Sequence, residues 1–278
     1  MRFWSISATV LALLTPISCS PTAAQGSAVG HTVSVNDFQM YYETVGAGEP
    51  LLLVHGWSGN AAYFAPLLDD LASQYRLIIP ELRGHGRSTN PAGTFTIDQT
   101  ASDVLALLEH LGLNQVRALG ASAGGLTLLR MALDDPNALQ SMIVVGVGTH
   151  FPEACRASMA ATDTDTYSAE WWEVMRERHV NGDAQIEEIA GYLRALATPG
   201  VGVGFAREDL SSIATRTLIV QGDSDWCFPP PLVAEMHKAM ANAVLWVIPN
   251  GEHVPILGPR APIFLESALK FFRGEPLE

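Results

Sequence analysis

Apolar and polar positions along the chain fall into blocks whose period changes repeatedly. Residues 31–35 and 38–44 carry strand formers on either side of Asn36-Asp37, which predicts a β-hairpin. Leu51-Leu52-Leu53-Val54 is an unbroken apolar run, and so are 77–79 and 142–145, while Val116-Arg117-Ala118-Leu119 is a short run that also reads as a buried strand. Strands covered on both faces of a parallel sheet read this way. Between these runs the period turns helical, over 61–73, from Thr96 to Leu111, and over 126–133. Thr96 followed by Gln99 predicts an N-terminal capping box for the second of these helices. The same alternation returns late in the chain, with strands at 217–221 and 244–248 and helices at 231–241 and about 262–272. Strands and helices taking turns at this spacing predict an α/β protein with a mostly parallel, doubly wound sheet.

The alternation stops between Gly148 and about Leu210. This stretch has helical patterns such as 184–196, the pair Trp171-Trp172, and a glycine-rich run from Pro199 to Gly204. It predicts a helical insertion at 149–210 that covers the strand ends. The core would then comprise 25–148 and 211–278.

The first residues follow neither pattern. Met1-Arg2 leads into a short apolar run ending at Leu14, then Pro16 and small residues. One positive charge, a short apolar centre and a small-residue tract predict a secretory signal peptide over 1–24, cleaved after Ala24. The run is too short to remain as a membrane span. Cys19 after Pro16-Ile17-Ser18 partly matches a bacterial lipoprotein box, so a lipid anchor there is a secondary expectation. The chain is expected to be exported, as a periplasmic, secreted or lipid-anchored protein. Cys155 and Cys227 remain after processing. They suit either a disulfide or two small buried side chains, and the spacing does not choose.

Charge narrows the partners. The net charge of −13 argues against nucleic acid and anionic membranes, both of which select a basic face. Apolar residues at 48% and charged ones at 16% mark a chain that folds around a large core. The histidines are scattered without ligand spacing and no glycine-rich dinucleotide loop is present, so neither a metal nor a cofactor is expected.

Chemistry enters at Gly120-Ala121-Ser122-Ala123-Gly124, which lies between a buried strand and a helix. Strand, Gly-x-Ser-x-Gly and helix in that order predict a nucleophile elbow. A serine hydroxyl needs a base, and the base needs an acid to orient it. Downstream of Ser122, the histidines are His150, His179, His237 and His253. His253 lies on the loop after the last strand, where it reaches the sheet edge that presents the serine. The acid belongs on the loop after strand 217–221, where Gly222-Asp223-Ser224-Asp225 offers two carboxylates. Asp223 suits capping of the turn; Asp225 lies nearer the histidine loop and is the expected acid. Two backbone amides would hold an oxyanion, that of Ala123 and that of Trp57 in His55-Gly56-Trp57-Ser58-Gly59. His55 is expected to hold this loop through hydrogen bonds.

These segments, with Arg83-Gly84-His85-Gly86-Arg87-Ser88 and Gly251-Glu252-His253, resemble the α/β-hydrolase superfamily over nearly all the chain after the leader. The likeness is greatest to its insertion-bearing esterases and lactonases, carbon–carbon bond hydrolases and perhydrolases. It implies an α/β-hydrolase sheet of eight strands, and structural roles for Arg83, His85 and Arg87. Dehalogenases and epoxide hydrolases of the fold carry aspartate at the nucleophile, so Ser122 argues against both. The resemblance implies a serine hydrolase acting on a small or medium ester or lactone. Carbon–carbon hydrolase, perhydrolase, aminopeptidase and hydrolase-like ligand sensor remain the alternatives. An aminopeptidase would call for an acidic cluster, for which Asp163, Asp165 and Glu170 are the available residues.

Overall fold

The computed structural model describes residues 27–199 and 201–277. The expected signal segment at 1–24, with Cys19, lies outside them. The chain opens on a hairpin, β1 (Val29–Val35) and β2 (Phe38–Val45), turned at Asn36 with φ 48°. Asparagine is among the few side chains that accept this left-handed backbone readily. Next come β3 (Pro50–Val54), α1 (Ala65–Ala72), β4 (Arg76–Pro80), α2 (Ile97–His110) and β5 (Val116–Ala121). The single helix expected over 61–73 is broken into a 3-10 turn, Ala61–Phe64, followed by α1. Pro66 explains the break, because it has no N–H to bond back into the preceding turn. Thr96 accepts from the amide of Gln99 and so caps α2 as expected.

After α3 (Ala123–Asp134) and β6 (Leu139–Val145) the chain passes through α4 (Glu153–Ala160), α5 (Ala169–Arg178), α6 (Asp183–Leu196) and α7 (Arg207–Ser212), the last of which runs past the boundary expected at 210. It resumes as β7 (Arg216–Gly222), α8 (Pro230–Ala239), β8 (Ala243–Ile248) and α9 (Ala261–Arg273). The eight strands form one sheet in the order β1-β2-β4-β3-β5-β6-β7-β8. The strands from β4 through β3 to β8 pair in parallel, and β2 is antiparallel to both its neighbours.

Burial on both faces follows directly from the unbroken apolar runs. Leu52 and Val54 of β3 join the core beneath α2, α3 and α8, whereas Leu51 and Leu53 join the one beneath α1 and α9. All four are fully buried, each contributing about 1.5–3 kcal/mol relative to exposure. Among the described residues, no helix is long and apolar enough to cross a membrane.

The insert is fastened to the core by polar bonds and one covalent bond. Trp57 Nε1 donates to the carbonyl of Ile189 in α6 at 2.9 Å. The amide of Gly86 donates to His179 Nδ1, also at 2.9 Å, and His179 Nε2 donates to the Ser58 carbonyl at 3.3 Å. A disulfide joins Cys155 in α4 to Cys227 on the loop after β7, which resolves the pairing that the spacing leaves open. His179 also stands in a buried row with His85 and His55, their ring centroids 5.9 and 5.5 Å apart.

Burial is the main reason that these three rings stay neutral, and it lowers their pKa values to about 4 for His55 and about 3 for His85 and His179. Proximity to His55 lowers His85 further, and proximity to His85 lowers His179. As pH falls below the ordinary value of 6.5, the unfolded chain takes up protons that the folded chain refuses. Stability from these sites is therefore present above pH 6.5 and declines below it, down to about pH 4 for His55 and about pH 3 for His85 and His179. Urea titrations at pH 7 and pH 5 should show this loss, at up to about 1.4 kcal/mol per pH unit for each histidine. His179→Gln should flatten the slope. Separately, reducing the Cys155–Cys227 bond, whose residues are 72 apart in sequence, should lower unfolding free energy by about 2–4 kcal/mol in the same assay.

Candidate active site

The site is assembled at the C-terminal ends of β5, β7 and β8. Ser122 sits between β5 and α3 with φ 51° and ψ −119°, a backbone that non-glycine residues rarely adopt. Strain of this kind costs on the order of 1–3 kcal/mol and needs support from its surroundings. The amide of Ser122 donates to the Val145 carbonyl at 2.7 Å, and the amide of Leu126 donates to the Ser122 carbonyl at 2.9 Å. Close approach supplies the rest. A Cβ at Gly124 would lie 2.1 Å from the Val54 carbonyl oxygen, and one at Gly120 would lie 2.5 Å from the Gly124 oxygen. Only glycine lets β3, β5 and α3 meet at that separation.

Ser122 Oγ donates to His253 Nε2 at 2.9 Å, and His253 Nδ1 donates to Asp225 Oδ2, also at 2.9 Å. The other carboxylate oxygen of Asp225 accepts from the amides of Cys227 and Phe228, at 2.8 and 3.0 Å. Burial alone would push the Asp225 pKa up. The bond and charge of His253 outweigh it, with the two amides, and hold the carboxyl below its usual range. Asp223, the other carboxylate of the loop, is exposed and accepts from the Ser224 hydroxyl at 3.0 Å. The remaining downstream histidines lie elsewhere. His150 is exposed and bonded to Thr149, His179 fastens the insert, and His237 Nε2 donates to the Ala243 carbonyl.

Trp57 and Ala123 both line the cavity that opens at Ser122. Ala123 is the first residue of α3, so its amide has no partner within the helix. Among the described residues, neither amide donates to another group. His55 holds the Trp57 loop as expected, donating from Nδ1 to the Gly56 carbonyl and accepting at Nε2 from the Leu82 amide. Arg83 is bound to Asp103 through two nitrogens, and Arg87 pairs with the buried Glu81, so both serve the scaffold.

The cavity measures 170 Å³, and apolar side chains such as Leu126, Phe151, Met159 and Leu196 form much of its wall. That is close to the size of an engineered cavity that binds benzene. None of its lining residues is Lys, Arg, Asp or Glu. The tryptophans of the cavity are Trp57 and Trp226, from the loops after β3 and β7. Trp171 instead stacks on Tyr167, and Trp172 donates to the Thr164 carbonyl, because the start of α5 folds back on its own approach. Asp163, Asp165 and Glu170 are exposed and lie outside the cavity lining.

Sequence reasoning overlooked Trp226 and Phe228, whose rings flank His253 at 5.7 and 5.9 Å. Their place beside Asp225 in the chain was the available signal. It also overlooked Tyr63, which reaches the cavity from the 3-10 turn. Burial raises its phenol to a pKa of about 12, so this hydroxyl stays protonated.

The comparisons agree with this architecture. Residues 49–185 match the family model for the alpha/beta hydrolase fold. RutD of Caulobacter segnis, whose name proposes a carbamate hydrolase, is 32% identical, over 85% of this chain and 96% of that protein. A soluble epoxide hydrolase of a Corynebacterium species is 25% identical, over 87% of this chain and 96% of that protein. Among solved structures, an esterase from Exiguobacterium antarcticum superposes with a TM-score of 0.74 at 21% identity, covering 88% of this chain and all of that one. At that identity the superposition speaks for the fold alone. With the elbow and eight-stranded sheet described above, the chain belongs to the α/β-hydrolase family and is a hydrolase of that fold.

Proposed function

We propose that the chain is a serine hydrolase that cleaves a small or medium carboxylic ester or lactone through an acyl-enzyme. The observation that carries this reading is the unbroken hydrogen-bond relay from Ser122 through His253 to Asp225 at the floor of an apolar cavity. In this reading Ser122 Oγ attacks the acyl carbonyl as His253 Nε2 takes its proton. Asp225 keeps the imidazole in the tautomer whose Nε2 is free to accept. The amides of Trp57 and Ala123 take the oxyanion, each such donor contributing about 3–4 kcal/mol to the transition state. His253 then returns the proton to the departing alkoxide. Water, deprotonated by the same imidazole, releases the acid.

The nucleophile also separates this reading from the activity named for the epoxide-hydrolase relative. A serine that opened an epoxide would form an alkyl ether, which water does not cleave, so turnover would end there. An acyl group on serine is an ester and is released. The apolar wall favours a neutral acyl group, because a buried carboxylate without a cationic partner is strongly disfavoured. The disulfide supports an oxidising compartment, in keeping with the signal segment expected at 1–24.

Ser122→Ala should leave the fold intact and lower kcat on p-nitrophenyl butyrate by about 10³-fold or more; Asp225→Asn should lower it by about 10⁴-fold. A fluorophosphonate should label the wild type and spare Ser122→Ala. Near-normal ester hydrolysis by Ser122→Ala would exclude the mechanism. In a substrate panel, p-nitrophenyl butyrate should exceed its carboxylate-bearing analogue, the p-nitrophenyl monoester of glutaric acid, by about 100-fold or more in kcat/KM. Mass spectrometry of protein exported from a bacterial host should find the mature N-terminus at Gln25.

A further inference from the structure

Gln221 is the penultimate residue of β7, following the apolar run Leu218-Ile219-Val220, and it is completely buried. Its side-chain nitrogen donates to Asp225 Oδ2 at 2.8 Å and to the Phe228 carbonyl at 2.8 Å. The Gly222 carbonyl lies further away, at 3.3 Å. The oxygen that receives the Gln221 proton is the one that receives the Nδ1 proton of His253. The Gln221 oxygen, by contrast, is buried without a hydrogen-bond partner.

That asymmetry is informative. With the amide turned over, its oxygen would face Asp225 Oδ2 and the Phe228 carbonyl, three acceptors with no proton among them. Only the observed orientation fits, and it leaves the amide oxygen buried without a partner. A methionine here would fill similar space and strand no atom of its own, but the Phe228 carbonyl and Asp225 Oδ2 would each lose a donor. The carboxamide thus leaves one buried acceptor unpaired, and what it supplies in return is a donor at the carboxylate that orients His253.

The geometry points to Gln221 as a positioning residue for the proposed relay, fixing the Asp225 carboxylate and the loop to Phe228 so that Oδ2 faces His253 Nδ1. It grips the acid from the strand side, while the amides of Cys227 and Phe228 grip Oδ1 from within the loop. Phe228 is held at the same time, and its ring forms part of the cavity wall beside His253. Gln221 acts through Asp225 and touches no substrate.

The inference rests on the reading of Ser122, His253 and Asp225 given above, so the two are tested side by side. Gln221→Met keeps the length and removes the donor. It should still fold, lower kcat on p-nitrophenyl butyrate roughly 10- to 100-fold, and leave KM within about twofold. The carboxylate, relieved of one donor, bears more strongly on His253. The acidic limb of the kcat/KM profile should therefore move to higher pH by about half a unit. The groups facing His253 are Asp225, Ser122 and the rings of Trp226 and Phe228, with the Tyr63 phenol in the same cavity. In an Asp225→Asn background, Gln221→Met should cost less than about twofold, because the group it positions is already impaired.

Wild-type kcat and an unmoved pH profile in Gln221→Met would overturn the inference. So would a loss of the same size in the Asp225→Asn background, since a merely structural role would add. If Gln221→Met does not fold, Gln221→Glu carries the test, with a loss of kcat and an upward shift of the same limb expected and wild-type values overturning the inference. Ser122→Ala separates the two levels. An active Ser122→Ala overturns the relay itself, whereas an inactive Ser122→Ala beside a wild-type Gln221→Met overturns only the role of Gln221.

Discussion

The close approach of three backbones around Ser122 is the constraint on which the rest of the site depends. β3, β5 and the start of α3 meet where Gly124 lies against the carbonyls of Val54 and His55. The apolar strands on either side supply the burial that holds this junction closed. Ser122 takes an unfavourable backbone there, and its hydroxyl is thrown toward His253. The same junction places the amide of Ala123, the free end of α3, at the cavity opposite Trp57. Strain at one residue thus arranges a hydroxyl and an unpaired N–H around a single point.

His253, Asp225 and the Trp57 amide are delivered by loops, and the loops are braced differently. The Trp57 loop is held from inside by His55 and from above by the bond of its indole to Ile189. The Asp225 loop is held from below by Gln221 and from the side by the Cys155–Cys227 bond to the insert. The insert is therefore tied to both loops that flank Ser122. A small displacement of α4 or α6 would be felt at Cys227 or Trp57, and so at the cavity wall.

Electrostatics divides the molecule sharply between surface and interior. The chain carries a net charge of −13, yet no charged side chain of Lys, Arg, Asp or Glu lines the cavity. The Asp225 carboxylate, which holds His253 at the cavity, is enclosed by donors from His253, Gln221, Cys227 and Phe228. The three buried histidines of the scaffold are likewise neutral, each with its tautomer set by backbone partners. Among the described residues the buried arginine, Arg83, is paired with Asp103. Burial thus keeps the region around Ser122 weakly screened, where fixed N–H dipoles act most strongly on a developing negative charge.

The chain alone determined the alternation of strands and helices, the elbow, and the residues that meet there. Those features are local: apolar runs of strand length, glycines at fixed offsets from Ser122, and loops that directly follow strands. Ser122, Asp225 and His253 were legible because a parallel sheet delivers the loops after its strands to one edge. What tertiary structure decided depends on contacts between residues far apart in sequence. The disulfide needed α4 to cross over the Asp225 loop, 72 residues away. The cavity tryptophans turned out to be Trp57 and Trp226, because Trp171 and Trp172 pack against their own approach to α5. Gln221 gave no signal in the sequence, since a glutamine at a strand end is unremarkable until its amide is seen against a carboxylate. The period of a strand or helix is set by its own backbone, whereas a cavity wall is set by whichever distant side chains the fold brings together.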